Sequence, residues 1–159
     1  MQKAKTFLMF VGDKCGKAEE ALKLYTSLIP NSEIKKIERW NEGEPMSITG
    51  QVKTALFTLS GNEYMASENT APHQFTFTPA ISIFIECSDE EEITLLHKEL
   101  SKEGKEFMPM DNYGFSKKFT WIEDQFGVSW QLNLIDPNKT KEDQQKWMVE
   151  NKARFEKAK

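Results

Sequence analysis

Asp124-Gln125-Phe126-Gly127-Val128-Ser129-Trp130-Gln131-Leu132-Asn133-Leu134 reads as a tight turn feeding a strand with two chemically different faces. Successive side chains of a strand alternate, so Val128, Trp130, Leu132 and Leu134 fall on one side and Ser129, Gln131 and Asn133 on the other. The apolar side must cover a core. The amides and hydroxyl opposite need water or a ligand, because burying each without a partner costs about 1–3 kcal/mol.

Working outward from this strand, the chain reads as a tandem duplication. Thr6 to Val11 predicts a strand, and Ala18, Ala21, Leu22, Tyr25, Leu28 and Ile29 recur at helical spacing until Pro30-Asn31-Ser32. Glu33 to Arg39, Val52 to Leu59 and Glu63 to Ala66 predict three strands, the last two joined around Ser60-Gly61-Asn62. The pattern restarts at Ala80 to Ile85, an offset of 74 residues from Thr6 (80 − 6). Ile93, Leu96, His97 and Leu100 then repeat Ala21, Leu24, Tyr25 and Leu28 at an offset of 72 (93 − 21), with Gly104 expected to close the second helix. Strands over Lys105 to Met110 and Phe115 to Ile122 lead back to the opening stretch, where Trp130 and Gln131 overlay Tyr64 and Met65 at an offset of 66 (130 − 64). The expected organisation is a first βαβββ module over residues 1–67 and a second over residues 79–135, together one compact domain, with a helical tail over residues 137–159. Thr140 with Asp143 marks the start of the tail helix, and Trp147 and Phe155 predict that it docks on the body or on a second subunit.

At 159 residues the chain is long enough to bury a core without staples. Its net charge of −4, with lysines scattered among acids, lacks the footprint that neutralises a phosphate backbone, so no nucleic acid is expected as a partner. The apolar run Phe7 to Val11 is too short to span a bilayer, so no membrane association is expected and the expected location is cytoplasmic. In that setting Cys15 and Cys87 are expected as reduced thiols.

Two tandem modules of this kind, together with Ala18-Glu19-Glu20-Ala21-Leu22 and Phe126-Gly127-Val128-Ser129-Trp130-Gln131, resemble the PhnB-like branch of the glyoxalase/bleomycin-resistance/dioxygenase superfamily, the vicinal oxygen chelate fold. Members of that branch often carry the label 3-demethylubiquinone-9 3-methyltransferase-like. The resemblance runs from about Thr6 to Leu134. It implies an α+β fold in which eight strands form a cupped sheet with helices outside, a ligand site in the cup, and a homodimer. Metal-using relatives hold a divalent ion on the first and last strands of each module; the positions matching that pattern are Thr6, Met65, Ala80 and Gln131. Of these only Gln131 is a reasonable donor, so neither a metal nor another cofactor is expected; a two-residue slip that brings Glu63 or Glu86 toward the cup is the open alternative.

The remaining constellations have simpler readings. His73 and His97 read as structural or surface residues, and the cysteines lack a neighbouring base in sequence. Lys117 and Lys118, beside Tyr113, Phe115 and Trp121, either flank a strand that enters the cup and meet an anionic ligand or are ordinary surface charges. Glu90-Glu91-Glu92 suits a helix N-terminus, and no Gly-rich turn of the adenosylmethionine or nucleotide type follows a strand. The candidate concave-face residues are Thr6, Leu8, Phe10, Ser82, Phe84, Ser129, Gln131 and Asn133, a mixture of aromatic wall and hydrogen-bonding groups suited to a small organic ligand. Two other functions stay open: a metal-dependent lyase, isomerase or dioxygenase, and a non-catalytic dimeric interaction module.

Overall fold

The computed structural model describes residues 1–156, the side chain of Phe155 excepted. The chain divides into two compact units, one from Met1 to Phe77 and one from Thr78 onward. In the first, β1 (Thr6–Phe10), α1 (Ala18–Leu28), β2 (Glu33–Arg39), β3 (Val52–Leu59) and β4 (Asn62–Glu68) follow in order, and the sheet is arranged β1-β4-β3-β2. Strands β1 and β4 are parallel, while β3 and β4 form an antiparallel hairpin. Its two-residue loop, Ser60-Gly61, has φ of 47° and 80°, the left-handed pair that matches the twist of a tight hairpin.

Helix α1 lays Ala18, Ala21, Leu22 and Tyr25 on this sheet, and all four are buried. No side chain of its own caps it. Instead the buried carboxylate of Glu68, at the end of β4, accepts Ala18 N–H and Val52 N–H, each at 2.8 Å. That stitch places a negative charge at the positive end of the helix and satisfies an amide that helix geometry leaves open.

The second unit repeats the plan with β5 (Ser82–Glu86), α2 (Glu90–Leu100), β6 (Lys105–Asp111), β7 (Lys118–Glu123) and β8 (Ser129–Leu134), arranged β5-β8-β7-β6. Asp89 caps α2 by accepting Glu92 N–H at 2.8 Å, and α2 packs on β7 and β8. The helix ends at Leu100, and it is Glu103, with φ 53°, that takes the left-handed position; Gly104 is required for another reason, since a Cβ there would lie 2.1 Å from the Glu123 carbonyl oxygen. Neither four-stranded sheet closes on itself.

Asp124 organises the turn before β8. Its Oδ1 accepts Phe126 N–H and Val128 N–H at 2.9 and 3.0 Å, and its Oδ2 accepts the Trp130 indole N–H at 2.8 Å. Gly127 takes φ 89°, a conformation costly for any side chain. Trp130 and Leu132 are fully buried on the α2 side of the sheet, as the alternation predicts.

The expected strand offset of 74 needs correction. Phe7 lies opposite Met65 and Phe84 opposite Gln131, so with Met65 and Gln131 equivalent, Phe7 and Phe84 are equivalent at an offset of 77 (84 − 7). The error is an odd number of residues, and an odd slip exchanges the faces of a strand. Ala80 accordingly falls in a turn before β5 rather than on the strand.

After β8, α3 (Lys141–Glu150) opens with a complete capping box between Thr140 and Asp143, and α4 (Lys152–Glu156) follows. Trp147 packs on the second unit, meeting Tyr113 with ring centroids 6.3 Å apart, so the tail docks on its own chain; the expectation placed on Phe155 concerns a side chain outside the described residues.

Candidate functional site

The face of the second sheet opposite α2 carries the candidate site. Register places Ser82, Phe84 and Glu86 of β5 beside Ser129, Gln131 and Asn133 of β8, with Glu123, Trp121 and Phe119 of β7 on the other flank. Ser82 Oγ and Ser129 Oγ lie 2.7 Å apart, the Trp121 indole N–H donates to Ser129 Oγ at 2.9 Å, and Gln131 Nε2 donates to Ser82 Oγ at 3.3 Å. Among the described residues nothing donates to Gln131 Oε1, so this half-buried amide has one end tethered and one acceptor available. Phe84, 52% exposed, lies directly opposite it, and Phe107 backs Trp121 at a centroid distance of 5.0 Å.

The two ends of this face differ. Asn133 is buried, and its Oδ1 accepts the hydroxyl of the fully buried Ser116; Phe119 beside it is covered by Tyr113 and Phe115. The Asn133 end is closed, while the Gln131–Phe84 end is open.

The first unit, taken by itself, differs from expectation. Leu8 and Phe10 are buried, and Phe10 lies opposite Glu68, whose carboxylate reaches the start of α1, so both belong to the α1 face, with Thr6 on the same side by alternation and exposed. The opposite face presents Phe7, 46% exposed, with Met9, Leu56, Met65 and Ser67. Five of the eight expected residues (Ser82, Phe84, Ser129, Gln131 and Asn133) thus share a face; Thr6, Leu8 and Phe10 lie on another. Trp121 and Phe107 beside this face were missed, as was Phe7 on the corresponding face of the first unit. Period-2 reading of β7 from Phe119 would have found Trp121, and the corrected offset finds Phe7.

Several charges around the sheets are paired. Lys117 and Lys118 both bind Glu90, at 2.6 and 2.8 Å, which favours the surface-charge reading of the two left open by the sequence. Their hydrogen bonds, Lys117 first, hold the Glu90 carboxyl down at about 2. Glu63, one of the slip alternatives, lies between Lys5 and Lys35 at 3.1 and 3.3 Å. Burial pushes the Cys87 thiol up to about 12 and raises that of Cys15, so neither is poised as a nucleophile. His73 bonds Asn69 at 3.0 Å and His97 bonds Glu106 at 2.5 Å, both outside the candidate face.

These donors do not fit a divalent ion. Such a site needs several charged or strongly basic ligands converging from different strands. Gln131 is flanked by serine hydroxyls and Phe84, and its counterpart in the first unit is the thioether of Met65; Glu86, the other slip alternative, stands on the same face beside Asn133, and Glu123 beside Ser129, but no group of three or more His, Cys, Asp or Glu side chains converges among the described residues.

The family model described as 3-demethylubiquinone-9 3-methyltransferase matches residues 2–133. A PhnB protein from Bacillus cereus bearing the same description is 49% identical, with 84% of this chain and 99% of that chain covered and a TM-score of 0.77. A Pseudomonas aeruginosa protein is 20% identical over 85% of this chain and 98% of that one, with a TM-score of 0.72. A glyoxylase/bleomycin resistance protein/dioxygenase domain from Frankia, 14% identical over 86% of this chain and 98% of that one, shares the fold at a TM-score of 0.53. No curated protein matches.

Proposed function

The chain belongs to the family described as 3-demethylubiquinone-9 3-methyltransferase, with PhnB and the glyoxalase fold as its structural kin, and from that premise we propose that it binds a small, uncharged organic molecule without a metal ion. The observation that carries the reading is Gln131: an amide tethered through Nε2 to Ser82, its Oε1 available, opposite an exposed phenylalanine. Neutral donors and acceptors beside aromatic walls suit a ligand with a hydroxyl or N–H group, whereas a carboxylate ligand would need a cation, and the lysines named above are already paired. The test is a thermal-shift screen of neutral metabolites in chelator, run on wild type and Gln131→Ala. At least one compound raises the wild-type melting temperature, and the variant loses that shift. If the variant retains every shift, the proposed site is wrong.

A second proposal is a homodimer. Strand β1, Thr6–Phe10, is a sheet edge with no charge, proline or bulge, and the exposed Phe7 stands on it; β5, with Phe84, is the matching edge of the second sheet. The opposite edges are blunted, β2 by its charges and β6 by Pro109. Sedimentation at tens of micromolar is expected to show a dimer, and a monomer would refute it. No helix among the described residues is long and apolar enough to cross a membrane.

A further inference from the structure

The loop over residues 112–117, which joins β6 to β7, closes the Asn133 end of the face. It supplies Ser116, whose hydroxyl donates to Asn133 Oδ1, and Phe115, which packs edge-on against Phe119 at 5.0 Å. Within the loop, Asn112 Oδ1 accepts Gly114 N–H at 2.8 Å. Three further contacts come from the tail. Lys139 Nζ donates to Asn112 Oδ1 at 3.0 Å. Trp147 lies so close over Gly114 that a Cβ there would meet the indole at 2.6 Å. The Arg154 guanidinium bonds Asp111 Oδ2 at 2.7 Å and lies over the rings of Tyr113 and Trp147, 5.2 and 5.6 Å from their centroids.

We propose that the segment from Lys139 to Arg154 is a strap that fixes the 112–117 loop and, through Ser116, the orientation of Asn133. Residues beyond the family-matched region, which ends at 133, would then set the closed end of the candidate site. Helix α3 buries no residue and supplies the aromatic wedge Trp147, while the cationic contacts come from Lys139 before it and Arg154 in α4, near the surface. Such contacts are weak one by one, so the strap releases at lower cost than the strands separate. Release frees Ser116 and leaves Asn133 to turn toward water or a ligand. That last consequence rests on the binding function proposed above; the strap itself does not.

Hydrogen exchange and side-chain amide NMR on the full chain, in wild type, Trp147→Ala and Arg154→Ala, separate the two. Amides of residues 112–117 are expected to exchange about tenfold faster in each variant while those of β8 are unchanged. The Asn133 side-chain amide signal is expected to move, and that of Gln131 to stay. Unchanged loop exchange in Trp147→Ala overturns the strap, as does an equal rise throughout β7 and β8, which would make the tail a general stabiliser. If no small molecule binds, the exchange result stands by itself; if the strap fails, ligand shifts at Gln131 remain as the test of binding.

Discussion

Trp130 and Gln131 are neighbours in sequence and opposites in role. The Trp130 ring is fully buried and its N–H reaches the Asp124 carboxylate, which also holds two backbone amides of the turn. Trp130→Ala leaves a cavity and withdraws one partner from a buried carboxylate; the expected loss is about 3–5 kcal/mol in urea unfolding. Gln131→Ala removes one long hydrogen bond at a half-buried position, with an expected loss of about 1 kcal/mol or less. Equal losses in the two variants would show that the faces of β8 have been assigned wrongly.

At the scale of elements, Glu90 ties the start of α2 to the start of β7 through Lys117 and Lys118. Its carboxyl is held at about 2, below the ordinary value of 4.5, chiefly by the hydrogen bond from Lys117. A depressed carboxyl stabilises the fold fully above the unfolded value and loses that contribution as pH falls through the folded one, here from about 4.5 to about 2. Glu19, held at about 2 by Arg39 and Lys23, acts in the same direction. The difference in denaturation midpoint between wild type and Glu90→Gln is therefore expected to shrink across that window, and to be smaller in high salt because the pair is exposed. A difference that stays constant from neutral pH to pH 2 would contradict the pairing. The elements themselves were legible from periodicity: both helices, the hairpin at Ser60-Gly61 and the Asp124 turn stand where alternation and turn chemistry put them. What periodicity could not fix was the offset between β1 and β5. Both strands are short apolar runs, TFLMF and SIFIE, in which either face reads as core, so nothing local reveals a slip of three residues. Leu8 and Phe10 were displaced to the wrong face for that reason. The strand β8 escaped the error because its polar and apolar residues alternate cleanly.

At the scale of the molecule, the two units share one plan and differ in the chemistry of the sheet face away from the helix. The first presents Phe7, Met9, Leu56 and Met65, an apolar surface; the second presents the Ser82, Ser129, Gln131 and Trp121 hydrogen-bond network with an open aromatic flank. The network suits a ligand that exchanges hydrogen bonds, and its neutral donors give a divalent ion no charge to offset dehydration. Metal-free binding at Gln131 is what is proposed above. Its most direct test is titration of isotope-labelled, chelator-treated protein with the compounds that pass the thermal screen, following the Gln131 side-chain amide and the Trp121 indole N–H by NMR. The account predicts that both signals move together and saturate without added metal. Signals that respond only after a divalent cation is supplied, or that stay still while other residues shift, would contradict it.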